Sequence, residues 1–524
     1  MTRRALIAGL AAGLLLALTV PAYGVIPAAG VISKKNMEWV FNNPQAVGGD
    51  IEFYEELQSD GSVSRYALTT SMGNGFNIYD ITDPTLPLIA GSFVDPGVNW
   101  QGDIQVNPKR KIAVLATQGS IGFTASHGAS DGLAFVDISD VSTPTLLGVV
   151  NGLGGAAHNS TIIDDQTIYT TGAARMVDYS DPAAPKDLGG ISDAEAGVNM
   201  CGGHDITVDP NRPNIIYNAC GGGRRTEIWN VSDARNPRII SVIPNSVPSI
   251  AHQADPNLDS SLLFVTHEQG GGTGADAPPS GGIHIWDISG KYIEGASLEE
   301  HAKVGFWVAP FYGLTGTSSQ GSQWGNVTAH NMTFQSEREL LSIGWYTAGS
   351  WVADMNGPTV AGGLYEEYKG TALGGPTTWG NTTGNFLPEG AETWSTKWTR
   401  FDDPLYDRYL FTNDITRGMD VFTYEGPMPQ KEARLTASDD ASGGVVSGVL
   451  DRYAVWTHQG FVNKPLAGET LTVESGGASV EVTSGDDGSF SADLGLEAGT
   501  HTVTVTWAGN DVYEAASVTQ TVTV

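Results

Sequence analysis

The stretch Phe76-Asn77-Ile78-Tyr79-Asp80-Ile81-Thr82-Asp83-Pro84-Thr85-Leu86-Pro87-Leu88-Ile89-Ala90-Gly91 returns, with substitutions, as Leu133-Ala134-Phe135-Val136-Asp137-Ile138-Ser139-Asp140-Val141-Ser142-Thr143-Pro144-Thr145-Leu146-Leu147-Gly148. It returns again from Thr226-Glu227-Ile228-Trp229-Asn230-Val231-Ser232-Asp233 onward. Each copy reads as an alternating strand, a turn and a second strand. The turn opens at Asp80, Asp137 or Asn230, whose short side chain accepts hydrogen bonds from the backbone that follows. A Pro sits beyond it, which cannot donate to a ladder and suits an outermost strand.

Working outward, weaker copies occur at Arg175-Met176-Val177-Asp178, Ile283-His284-Ile285-Trp286-Asp287, Trp351-Val352-Ala353-Asp354 and Met419-Asp420-Val421-Phe422. The steps between anchors run from about forty to about seventy residues, the length of four short strands with variable loops. Such units hide their apolar faces only against neighbours, so they are expected to close into a ring. The expected fold is all-β: a seven-bladed β-propeller over 31–428, then a second domain over 431–524.

The phrase Val136-Asp137-Ile138-Ser139-Asp140, with Pro144 and Gly148 beyond it, resembles the LVIVD-repeat propellers of secreted bacterial proteins. The closing Asn413-Asp414-Ile415-Thr416-Arg417-Gly418-Met419-Asp420-Val421-Phe422 is similar to the ending of many of them. The resemblance spans roughly residues 40 to 428 and implies a fold without implying one activity.

Beyond Pro427-Met428-Pro429 the composition turns to Thr, Val, Ser and Gly. Alternation is strong in Thr470–Glu474, Ser479–Thr483 and Thr500–Thr506, with a tight turn at Gly485-Asp486-Asp487-Gly488. With Trp507-Ala508-Gly509-Asn510-Asp511-Val512-Tyr513 this segment resembles bacterial Ig-like β-sandwich domains, which implies a spacer or surface-binding module and names no ligand.

Arg3 and Arg4, the apolar run Ala5–Val20 and Pro21-Ala22-Tyr23-Gly24 read as a signal peptide over 1–24, with Ala29 or Gly30 as the other cleavage point. The paired arginines also fit a twin-arginine signal. No later run is long and apolar enough to be a transmembrane segment. A secreted or cell-surface protein is expected. The 524 residues hold 27 Lys plus Arg against 58 Asp plus Glu, a formal net charge of -31, so nucleic acid and anionic membranes are disfavoured partners.

The cysteines are placed by register. If Asp205–Val208 and Ile215–Asn218 pair through Asp209–Asn214, with Asp205 opposite Tyr217, then Cys201 and Cys220 face each other and a disulfide follows in an oxidising compartment. A redox or zinc role is the competitor, with no further Cys to support it.

One constellation could carry chemistry. Aligning the first strand of each unit brings His158, His204, His252 and His330 to one position, taken by Gly49 and Gly102 in the first two units and by Glu392, Thr393 or Trp394 in the last. First strands line the channel of a propeller, so four imidazoles would converge on a cup suited to Fe, Cu, Ni or Zn, with room for water or substrate beside the glycines. The arrangement is similar to the axial four-His iron of carotenoid-cleaving oxygenases, though no sequence motif is shared. The structural alternative is inheritance by duplication, each His bonding a loop carbonyl. Glu268, His267, Asp50 and Asp103 are candidate supporting or acid/base groups, and Asn159, Asp205, Gln253 and Asn331 are expected to stitch neighbouring units. Long insertions at Val308–Asn326, with Phe311, Tyr312 and Trp324, and near Thr377–Asn385 are expected as loops over one mouth.

Two functions are open at this point. One is a non-catalytic extracellular binding or surface-associated module for a polymer, protein or small molecule. The alternative is a metal-dependent enzyme, oxidative or hydrolytic, with a four-histidine metal centre.

Overall fold

The structure, a computed structural model, describes residues 30–44, 48–71, 75–94, 100–117, 132–153, 157–245, 250–268, 281–290, 301–310, 328–359, 377–438 and 441–524. The signal segment 1–24 and the aromatic residues of the 311–327 insertion lie outside the described residues. Among those described, the chain is all-β, broken only by short 3-10 turns at Pro404–Arg408 and Ser442–Gly444. None of its helices is long and apolar enough to cross a membrane.

Each of the seven repeat anchors falls on the third strand of an array, a run of four antiparallel strands: Gly75–Asp80, Gly132–Asp137, Arg175–Asp178, Arg225–Asn230, Ile283–Asp287, Ser350–Pro358 and Gly418–Tyr424. The fifth and sixth arrays share one nine-stranded sheet through the parallel pairs Gly305↔Thr377 and Phe306↔Thr378. The turn chemistry follows the sequence closely. Asp80, Asp137, Asp178, Asn230, Asp287 and Asp354 each accept the backbone N–H two residues on, at 2.8–3.0 Å. The pairing of third with outermost strand slips in every array, for instance at Ile78/Tyr79, Leu146/Gly148 and Ile228/Trp229, and twice in the sixth, at Val352/Ala353 and Asp354/Pro358. Such bulges add twist to an edge strand and spoil it as a template for foreign chains.

The first strands run Gly48–Leu57, Trp100–Asn107, Ser160–Ile162, Asp205–Val208, Ala251–Pro256, Met332–Phe334 and Thr393–Trp398. Each lies beside the next, and the last lies beside the first again. A buried cluster fills each seam. Leu68, Ile78, Ile104 and Leu115 join the first two arrays, while Phe264, Phe306, Leu341 and Trp351 join the fifth and sixth. Ile51, Phe53, Phe401, Phe411 and Val421 join the last to the first. Units that repeat this way around an axis form a β-propeller.

The outer strand of the last array comes from the other end of the chain: Met37–Asn43 pairs antiparallel with Gly418–Tyr424, from Met37↔Tyr424 to Asn43↔Met419. The joint is also polar. Asn413 donates to the backbone oxygens of Asp50 and Thr70 at 3.0 and 2.9 Å, and Tyr406 donates to Ile81 O at 2.7 Å.

Two expectations need correction. Thr377–Asn385 is not a loop: it belongs to the strand Thr377–Pro388, the long outer strand of the sixth array, paired on its other edge with Val31–Lys35. Its polar Thr and Asn residues obscured a strand whose ladder bonds, rather than burial on both faces, hold it. The fourth array pairs Asp205 with Ala219, two residues from the expected register. Asp209 sets this by donating its N–H to Ile215 O at 3.0 Å and accepting from Asn211 and Arg212 on Oδ1. Cys201 and Cys220 lie just beyond that ladder and are nevertheless joined as a disulfide, with Cα atoms 5.7 Å apart.

The tail has its own core and also packs on the propeller. Its sheets, Ala433–Ala437 with Val445–Arg452 and Ser489–Asp493, and Thr470–Ser475 with Ala478–Thr483, Thr500–Trp507 and Ala516–Thr523, face each other over Val446, Leu450, Leu471, Val473, Phe490 and Trp507. Glu337, a propeller residue 2 % exposed, receives hydrogen bonds from Lys431 at 2.6 Å, Arg452 at 2.8 and 3.0 Å and the Tyr513 hydroxyl at 2.9 Å. The hairpin Val455–Thr457/Gly460–Val462 reaches further onto the propeller: Trp456 N–H donates to Arg400 O at 2.8 Å and Ala454 N–H to Asn211 at 2.7 Å.

Two outcomes follow. Intact mass without reductant should lack two hydrogens relative to the reduced chain, and the paired Cys201→Ser, Cys220→Ser variant should lose about 3 kcal/mol for a loop of this length; two free thiols in the untreated protein would remove the disulfide. Glu337→Ala, which leaves Lys431 only Asp407 at 3.7 Å and Arg452 only Asp402 at 2.8 Å, should cost roughly 1.5 to 3 kcal/mol in chemical denaturation, and an unchanged transition would mean that the tail is not held this way.

Candidate metal centre

The four histidines stand at or just before the start of their first strands. The pairing with the second strand is irregular there in four arrays, between Gly48 and Ile51, Trp100 and Ile104, Ala251 and Ala254, and Thr393 and Ser395. An irregularity of this kind re-aims a side chain. His252 and Trp394 fall inside such breaks, while His158, His204 and His330 lie just before their strands.

The four imidazoles stand in a curved row whose ends, His158 and His330, still act on each other electrostatically. Ring centroids are 4.2 Å apart for His158 and His204, 4.0 Å for His204 and His252, and 4.1 Å for His252 and His330. Trp394 ends the row, its ring 4.3 Å from that of His330 and its carbonyl 2.8 Å from His330 Nδ1. Of the three residues expected for the last unit, Trp394 therefore holds the place.

Glu268, directly after the strand Leu262–His267, brings a carboxylate to the row. Its oxygens lie 3.5 Å from His204 Nε2 and 3.9 Å from His330 Nε2. Donor atoms of His252, Glu268 and His330 fall within 4.8 Å of one another, as do those of His204, Asp205 and His252. His158 extends the row beyond these two groups. A third group of donors, Cys201, Cys220 and Glu227, has both sulfurs in the disulfide.

Sequence gave no sign of Tyr346. Its hydroxyl donates to Glu268 Oε1 at 2.6 Å, and its ring packs 4.7 Å from His330. It is buried at φ 44, a left-handed conformation that a bulky residue adopts only when its surroundings enforce it. The enforcement is visible in paired backbone bonds of 2.9 Å between Tyr346 and Thr393.

Burial governs the electrostatics. It lowers His158 to about 4 and His330 to about 3, and it drives His204 and His252 well below the ordinary imidazole value, helped by the neighbouring rings. Desolvation raises Glu268, opposed by the Tyr346 hydrogen bond. All four rings are thus neutral near pH 7, the form that offers a lone pair. Both nitrogens of His252 and Nδ1 of His204 are buried without a hydrogen-bond partner, a costly condition for polar atoms.

Other expected groups go elsewhere. His267 Nδ1 accepts the N–H of Gly281 at 3.1 Å, a loop contact. Asp50 meets Lys397 at 2.9 Å, and Asp103 accepts Ser160 N–H at 2.8 Å, both below the row. Stitching by the neighbours is present: Asn159 donates to Asp205, and Gln253 exchanges bonds with Met332 at 2.8 and 3.0 Å. The space expected beside the glycines is taken. A Cβ on Gly49 would lie 2.9 Å from Gly102 Cα, and Gly102 has φ 108, so the glycines let two strands meet rather than open a gap.

The LVIVD repeat model matches residues 129–152, which include the strands Gly132–Asp137 and Thr145–Asn151. The chain carries an LVIVD repeat on a β-propeller fold. No curated protein matches it. Among solved structures, the Cps50 (Swd1) β-propeller domain of Myceliophteria thermophila aligns at 9% identity and TM-score 0.45, over 74% of this chain and 99% of that one. A putative 6-phosphogluconolactonase from Bacteroides fragilis aligns at 10% and 0.42, over 81% and 96%. The periplasmic gluconolactonase of Pseudomonas aeruginosa aligns at 10% and 0.42, over 64% and 85%.

In chelator-treated protein, NMR titration should show none of the four row imidazoles protonating between about pH 8 and 5.5, since burial moves all four downward. A ring titrating near 6.5 would place it in water and outside the row.

Proposed function

We propose that this chain is an exported, extracellular or surface-associated binding protein, built as a seven-bladed propeller with an Ig-like domain, whose channel holds a transition metal. The single observation behind the metal is His252: fully buried, with two unpartnered nitrogens, between His204 and His330 and beside Glu268. A divalent cation answers both the orphaned lone pairs and the buried carboxylate. Three imidazoles with one carboxylate suit Fe, Cu, Ni or Zn, with His158 beside His204 as the fourth nitrogen ligand. The disulfide supports an oxidising location.

The second reading, a metal-dependent enzyme of oxidative or hydrolytic type, draws on Glu268 and Tyr346. A carboxyl group raised by burial and bonded to a phenol beside a metal is a group that can move a proton.

Metal analysis of untagged protein should find near-stoichiometric transition metal, reduced below about a tenth in His252→Ala and bound roughly 10- to 100-fold more weakly in Tyr346→Phe, which loosens the carboxylate. Absence of metal in folded wild-type protein, after incubation with each of the four ions, would end this reading. Metal retained unchanged in His252→Ala would do the same.

A further inference from the structure

Below the imidazole row the channel widens into a chamber of about 420 Å³ between the first strands and the tail hairpin. Its wall carries Asp50, Asp103 and Asp205, the residues that follow Gly49, Gly102 and His204. Lys397 is committed to Asp50 and Glu52, at 2.9 and 2.8 Å. Among the described residues no lysine or arginine forms an ion pair with Asp103 or Asp205. Asp103 is 8 % exposed and, among the described residues, accepts from Ser160, at 2.8 Å from the backbone and 3.4 Å from the hydroxyl.

A separate observation points to a donor-bearing ligand. Asn331, also 8 % exposed, lines the same chamber, and its Oδ1 is buried without a hydrogen-bond partner while its Nδ2 faces Asp50 at 3.4 Å. The remaining wall is mixed: Phe53 and Trp398 from the propeller and Trp456 and Phe461 from the hairpin are aromatic, while Lys109, Lys397 and Arg400 stand against eight carboxylates in the same lining. The volume falls in the range of small-molecule sites and far exceeds what an ion needs.

We propose that this chamber binds a small organic amine, its ammonium group donating to Asp103 and to Asn331 Oδ1 and its apolar part lying against the aromatic hairpin. An ammonium has N–H donors for both acceptors, and its charge favours the ionised form of Asp103, whose carboxyl burial and the neighbouring Asp50 otherwise hold well above the usual range. Aromatic faces favour a cation further. A bare metal ion fits less well, because no compact set of donors includes Asp50 or Asp103. The tail domain is then part of a binding site rather than a tether. This goes beyond the metal reading and does not depend on it.

The test is calorimetric titration of the full chain with butylammonium chloride, and separately with calcium chloride, before and after chelator. Saturable butylammonium binding is expected in both states, weakened at least tenfold by Asp103→Asn and by Trp456→Leu; the second variant serves if the first does not fold. Four outcomes would overturn the proposal: no butylammonium binding to folded wild-type protein, unchanged affinity in the folded variants, displacement of the amine by calcium, or amine binding abolished by chelator. The last would move the ligand to the imidazole row and leave the metal reading standing.

Discussion

Everything in this molecule depends on one seam, where the last four-stranded array meets the first. Neighbouring arrays would pack in an open stack just as they do here, but an open stack leaves two apolar faces in water. Phe53, Phe401, Phe411 and Val421 cover those faces, and Asn413 bonds backbone oxygens across the joint. Burying side chains of this size contributes roughly 1.5 to 3 kcal/mol each. Closure also gives the first strands a common axis, so residues more than 170 positions apart, His158 and His330, become members of one row.

The channel then divides into two layers for a local reason. Successive residues of a strand point in opposite directions. Where a His turns inward at the strand entrance, the next residue reaches sideways or downward, as Asn159 does to Asp205 and Asn331 toward Asp50. The nitrogen layer is neutral and mostly buried. The oxygen layer is acidic and opens into the chamber, so one short dipeptide pattern repeated around the axis produces two chemically distinct levels.

Much of this was legible in the residues. All seven repeat anchors are third strands, because the Asx turn that follows them is a local signal readable from one copy. The histidine positions were legible for the same reason: a fixed offset within each repeat. What the sequence hid is non-local. Met37–Asn43 carries no repeat signature yet completes the last array. Glu337, Lys431, Arg452 and Tyr513 converge from distant segments, so the docked tail looked independent. Tyr346 gave no warning, since its left-handed backbone is imposed by Thr393 and runs against the preference of its own side chain.

The borrowed strand Met37–Asn43 has a consequence for how the molecule comes into being. A ribosome makes this strand early and its partner, Gly418–Tyr424, some 380 residues later. Until then the nascent protein is an unclosed spiral with one sheet edge waiting, and loop closure over such a span is slow. Completion of the circle is therefore a late and cooperative event, and a pull on the N-terminal end would peel Val31–Lys35 from its edge and then undo the joint that was fastened last.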